Sequence, residues 1–104
     1  MSDNTIIIPR GDTARRSIEI TTQEGDLYAI QENDILTLRV KKNLADKEPC
    51  IFKEVKGSGD FHIRPEDTEN LHFGKYIYSV RLLTADGERY TVIDKQTFEI
   101  AEVV

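Results

Sequence analysis

Between Leu71 and Leu83, Tyr76, Tyr78, Val80 and Leu82 occur at every second position, with Lys75, Ile77, Ser79 and Arg81 between them. Successive side chains of a pleated strand point to opposite faces, so this period predicts a strand with one buried face, read here as the central strand of a sheet. Tyr76 and Tyr78 then belong to the core rather than to a sugar-binding platform, with one phenol hydroxyl satisfied by backbone, because a buried O–H needs a partner. Tyr28 and Tyr90 are read in the same way.

The rest of the chain supplies short strands of similar period. Thr5 to Ile8 is β-branched and closes at Pro9, which lacks a ladder donor, so an edge strand is expected there. Arg10-Gly11-Asp12 has the form of an adhesion triplet, but Gly-Asp is ordinary turn chemistry and a turn is the preferred reading. Ile18 and Ile20 face inward on a second strand, and Leu36, Leu38 and Val40 on a third. A polar turn at Gln31–Asp34 separates these two, and a charged loop follows from Asn43 to Pro49. Cys50 to Val55 forms a strand that Lys56–Asp60 turns, as a hairpin tip, into a strand carrying Phe61 and Ile63. Gly57 and Gly59 in that tip lack the following helix that a phosphate cradle needs. Pro65 to Asn70 reads as one helical turn linking two sheets. The last strand runs from Glu88 to about Ile100, bent near Asp94-Lys95-Gln96, with Val92, Phe98 and Ile100 inward and a tail from Ala101 to Val104.

Two stretches echo each other, Thr22-Gln23-Glu24-Gly25-Asp26-Leu27-Tyr28 and Thr84-Ala85-Asp86-Gly87-Glu88-Arg89-Tyr90. Both are hairpin signals. A two-residue loop at Asp86-Gly87 would pair Val80 with Ile93 and put Tyr90 on the wrong face. A three-residue loop with Gly87 in the left-handed region sets Leu82 opposite Tyr90 and Val80 opposite Val92, keeping one apolar face, and is preferred. The same geometry about Gly25 sets Ile20 opposite Tyr28 and Ile18 opposite Ile30.

Length and composition bound the remaining choices. One hundred and four residues, 38% hydrophobic and 32% charged, are expected to make a single all-β domain spanning 1–104. Pro65-Glu66-Asp67-Thr68 followed by Gly74-x-Tyr76-x-Tyr78 resembles the approach to strand F of immunoglobulin-like domains, with Tyr78 where the cysteine would stand, and the resemblance implies an immunoglobulin-like β-sandwich of about seven to eight antiparallel strands. Cys50 is the sole cysteine, so no internal disulfide forms, which suits a reducing compartment. A net charge of −5 opposes binding to nucleic acid or anionic membranes. The N-terminus lacks the basic start and long apolar run of a signal peptide. No catalytic constellation is visible: His62 and His72 have no His or Cys neighbour at ligand spacing, and Cys50 stands alone. Asp60, Glu66, Asp67 and Glu69 read as a solvated acidic turn rather than a cation site. Neither enzymatic activity nor a cofactor is expected.

Several motifs together resemble a known family: Arg10-Gly11-Asp12-Thr13, Glu32-Asn33-Asp34-Ile35 before a strand ending Val40-Lys41, Pro65-Glu66-Asp67-Thr68, Gly74-x-Tyr76-x-Tyr78-x-Val80, and Phe98-Glu99-Ile100. They look like the immunoglobulin-like modules of phage and prophage tail regions, similar to the N-terminal domain of baseplate upper proteins. The resemblance implies a structural module of a virion tail or baseplate, assembled in the bacterial cytoplasm, with other tail proteins as partners. Tail components repeat around an axis, so a homo-oligomer is expected, using the edge at Thr5–Ile8 and a second edge around Phe98 and Ile100. The alternative for such a sandwich is a carbohydrate-binding or cell-surface adhesion module, which needs exposed aromatics sharing one face.

Overall fold

The computed structural model describes residues 5–22 and 24–102. Gln23 and the first four residues, where the signal-peptide reading falls, lie outside the described residues, as does the end of the C-terminal tail at 103–104. The chain is all-β. Its strands are β1 (Ile6–Pro9), β2 (Ala14–Ser17), β3 (Ile20–Thr21), β4 (Leu27–Tyr28), β5 (Ile35–Lys41), β6 (Ile51–Lys56), β7 (Asp60–Ile63), β8 (Gly74–Leu83) and β9 (Arg89–Ala101), with one helical turn, α1 (Pro65–Thr68).

The alternating strand is central, as expected. β8 lies in the middle of a five-stranded sheet ordered β1-β9-β8-β5-β6, and Tyr76, Tyr78, Val80 and Leu82 are all buried on one face. Every contact in this sheet is antiparallel except β1 with β9, which run parallel with Ile6 beside Phe98 and Ile8 beside Ile100. β1 is therefore an edge strand, while the second edge expected at Phe98 and Ile100 is already occupied by β1. The other edge of the sheet is β6.

A ribbon of β2 and β7 lies over the inner face of the large sheet. Phe61 and Ile63 of β7, with Ile18, wall a narrow apolar crevice against Ile6, Leu38 and Phe98. The expected strand through Ile18 and Ile20 is thus split. Its first half joins β7, its second half forms a short ribbon with β4, and the Ile18 N–H between them donates to the Gly59 carbonyl. Ile18 is only half-buried in consequence. The Lys56–Asp60 segment is not a hairpin tip either, because β6 and β7 belong to different sheets and the segment crosses between them. α1 makes the return crossing from β7 to β8. Ile6, Ile8, Ile51 and Ile93 complete the buried core.

Both echoing hairpins close with the three-residue geometry. The Thr22 N–H donates to the Asp26 carbonyl and the Gly25 N–H to the Thr22 carbonyl, and Thr84, Glu88 and Gly87 repeat the pattern. Each threonine Oγ1 also accepts the backbone N–H four residues on, from Asp26 or Glu88. The shared sequence is therefore a hydrogen-bonding pattern, with threonine closing the loop from inside. Gly25 and Gly87 have φ of +90° and +85°, and nothing lies within 4 Å of where a Cβ would sit. The cost of substitution at Gly87 is then conformational alone. Valine should destabilise by about 1–2 kcal/mol and asparagine by clearly less, since asparagine tolerates the left-handed region. Thermal melts of the two variants check this, and equal losses would contradict it.

The register leaves the hairpin as expected and then departs from it. Leu82 pairs with Tyr90 and Ile20 with Tyr28, but Val80 faces Ile93 rather than Val92. β9 contains one extra residue between Thr91 and Ile93 and another between Ile93 and Gln96, where Lys95 has φ +52°. These are two bulges, each moving later side chains by one face. Ile93 is consequently buried and Val92 half-buried, and the second bulge returns Phe98 and Ile100 to the core. Tyr90 shares the inner face with Leu82 yet is 52% exposed, so it is not a core residue.

Candidate interaction surfaces

The outward-facing side chains of the five-stranded sheet follow from its register. Ile7, Glu99 and Lys75 form one row; Thr97, Ile77 and Lys41 the next; then Ser79, Arg39 and Phe52; then Thr91, Arg81, Thr37 and Glu54; and finally Arg89, Leu83, Ile35 and Lys56. Six cations stand in these paired rows against two carboxylates, with exposed Asp94 and Lys95 at the bulge beside Ser79, in a chain whose net charge is −5. Lys75, Lys41, Arg39 and Arg81 form a zigzag along the two central strands, each a diagonal or same-strand neighbour of the next. Arg39 lies 5.5 Å from the centre of the Phe52 ring. None of the four makes an ion pair, the one salt bridge among the described residues being Lys53 with Asp67. Neighbouring like charges on a sheet repel, and this face holds several that its carboxylates, Glu99 opposite Lys75 and Glu54 in the row of Arg81, offset only in part.

The edges of the same sheet are blunted. On β1 the Arg16 guanidinium donates to the Ile7 carbonyl at 3.3 Å, covering an outward backbone acceptor. On β6, Lys53 points inward beside Leu38 and reaches Asp67 of α1 at 2.6 Å. An inward charge at a sheet edge hinders pairing with another strand. Burial pulls the Asp67 carboxyl up, but Lys53 and the Arg64 backbone N–H, which donates to it at 2.7 Å, hold it below the ordinary carboxylate value. A polar cleft of about 340 Å³ beside this pair is lined by Lys53, Asp60, His62, Arg64 and Glu66. Asp60 accepts the Ser17 hydroxyl, so two of the acidic turn's four carboxylates already have partners. Among the described residues no group of three or more His, Cys, Asp and Glu is placed to hold a metal.

At the end of the molecule where β8 turns into β9, Asp86 and Tyr90 of the second hairpin lie near enough to Tyr28, at the base of the first, to act on its phenol electrostatically. Glu24, Asp26, Asp86 and Glu88 are exposed there, with Leu27 68% exposed beside them. Glu88 accepts the Tyr90 hydroxyl. Beneath the tips, Asp34 is 2% exposed and accepts both the Tyr28 hydroxyl at 2.6 Å and the Gln31 N–H at 2.8 Å. Asp34 is a key polar residue that pattern reading placed only in a polar turn; the signal was its position directly before an apolar strand.

The Asp34 hydrogen bond, and then burial, push the Tyr28 phenol from 10.0 up to about 12. The folded state favours the protonated phenol, so this stabilisation is complete below pH 10 and is lost as pH rises from 10 to 12. Tyr28→Phe should therefore lose stability less steeply across that window. Urea midpoints at stepped alkaline pH measure it, with Tyr76, raised mainly by burial, contributing to the slope that remains. Identical slopes in the two proteins would contradict the assignment.

At the opposite end, the Tyr76 hydroxyl donates to the His72 carbonyl at 2.9 Å, which is the backbone cap expected of one core tyrosine. Gly74, at φ +135°, begins the strand between them. The Arg10-Gly11-Asp12 triplet serves as a turn: the Asp12 N–H donates to the Pro9 carbonyl and the Gly11 N–H to Oγ1 of the buried Thr68. Arg10 stacks over Phe73 at 4.4 Å. The Cys50 thiol donates to the Val40 carbonyl at 3.3 Å, and desolvation raises its pKa, which favours an unreactive thiol at neutral pH. No protein-family model matches the chain, and no curated protein matches it either.

Proposed function

We propose that this chain is a non-enzymatic structural and interaction module of a phage or prophage tail or baseplate, folded as an immunoglobulin-like sandwich. The observation that carries the reading is the tyrosine corner. Gly74-x-Tyr76-x-Tyr78, one of the motifs that carry the family resemblance, opens the central strand, and the Tyr76 hydroxyl is tied back to His72. The strand order supports it as well, with β9, β8 and β5 as the three-stranded heart of one layer, β6 extending it, and the β2–β7 ribbon across from it. The adhesion alternative gains less support, because the exposed aromatics are dispersed: Phe52 lies on the sheet face, Phe73 lies under Arg10 and Tyr90 lies at the hairpin tips.

The test is proteomic. Particles induced from the host and purified by density are fractionated into heads and tails, and the chain is expected in the tail fraction at a stoichiometry above one copy. Its absence from particles, together with glycan binding lost on mutating Phe52 or Tyr90, would replace this reading with the adhesion one.

A further inference from the structure

We infer that the acidic hairpin tips of one molecule dock onto the basic outer sheet face of a second copy, so that the chain associates head to tail. This deepens the structural-module reading and rests on it. The two surfaces are opposite in charge and each carries apolar area. The face presents the zigzag Lys75, Lys41, Arg39 and Arg81 around half-buried Ile77, while one hairpin tip presents Glu24 and Asp26 beside exposed Leu27 and the other presents Asp86 and Glu88 beside exposed Tyr90. A two-fold contact of face with face would set cations against cations, and one of tips with tips would set carboxylates against carboxylates. Only the heterologous contact relieves both, and it leaves a free face and a free pair of tips for the next copy. Association by strand addition is disfavoured, because Arg16 covers the Ile7 carbonyl and Lys53 points inward on β6.

The experiment is sedimentation velocity on the pure chain over a range of concentrations, at low salt and at high salt. Two variants accompany it, Arg39→Glu/Arg81→Glu on the face and Asp26→Lys/Asp86→Lys on the tips, all four positions being exposed. The wild type is expected to associate with increasing concentration, less so at high salt, where screening shortens the reach of the charges. Either variant alone should associate about tenfold more weakly or worse, through like-charge juxtaposition. An equimolar mixture of the two should recover association, because the acidic face of one now meets the basic tips of the other. A strictly monomeric wild type overturns the inference, as does association that the tip variant leaves untouched, which would point to another acidic partner or a different contact. A chain found in tail particles but monomeric in solution overturns the contact and not the tail reading. Association without incorporation into particles does the reverse.

Discussion

Phe98→Ala is expected to lower the free energy of unfolding by about 3–5 kcal/mol, a large part of the roughly 5–15 kcal/mol available to a domain of this size. Phe98 is fully buried at the middle of a cross-strand row, between Ile6 on β1 and Tyr76 on β8. Its ring meets Tyr78 edge-on, with centroids 6.3 Å apart, and it walls the crevice on which the β2–β7 ribbon rests. Truncation therefore removes contacts on both sides of the strand and toward the second layer, and a tightly filled site of this kind relaxes only partly. Urea denaturation should show a lower midpoint at an unchanged slope, the mark of lost stability without altered compactness. A midpoint within error of the wild type would contradict the position of Phe98 at the junction of the layers.

Gly59→Ala is expected to cost about 1–3 kcal/mol, more than alanine's methyl group would suggest from size alone. A Cβ at Gly59 would lie 2.4 Å from the Ile18 carbonyl oxygen and 3.1 Å from Ile30 Cδ1. The first of these is backbone and cannot swing aside. The Gly59 carbonyl also accepts the Ile18 N–H at 2.8 Å, so moving apart to admit a methyl weakens the bond that carries β2 past its last ladder pair. The check is a comparison of melting temperatures with a second glycine in open surroundings, Gly11→Ala, whose loss should reflect backbone conformation alone. Wild-type stability in Gly59→Ala would mean that the two segments do not approach as closely as described.

How much of this was legible in the sequence depended on the range of the interaction. The buried face of β8, the inward Phe61 and Ile63, the helical turn at Pro65 and the geometry of both hairpins were all readable, because each is fixed by residues within a few positions of one another. What period could not reveal was which strands pair. Ile18 and Ile20 share a parity, but their strand is divided between two partners by the close approach of Gly59, more than forty positions away. Phe98 and Ile100 looked like an edge because nothing in their own segment announces that Ile6 and Ile8 lie alongside in parallel. Tyr90 shows that facing inward and being covered are different conditions: Leu82 opposite it is 4% exposed while Tyr90, next to the loop, is half in water. Among the candidate surfaces, the inventory of charges was readable but their sorting was not. The basic face exists only once β5 and β8 are laid side by side.

The paired bulges of β9 behave like two compensating frameshifts. Everything before the first and after the second is read in one frame, with Tyr90, Phe98 and Ile100 turned inward, and only Ile93 between them is read in the other. Deleting one residue at a single bulge, Val92 for instance, would only turn two residues opposite one into an ordinary pair: Ile93 would still face Val80, Gln96 would still face Tyr78, and Phe98 and Ile100 would stay inward. Deleting a residue from the regular stretch after Gln96 has no such surplus to draw on and would turn every side chain beyond it to the other face. The bulges thus hold two residues of slack, one each, and a shortening of β9 is absorbed where the ladder already carries a residue it does not pair.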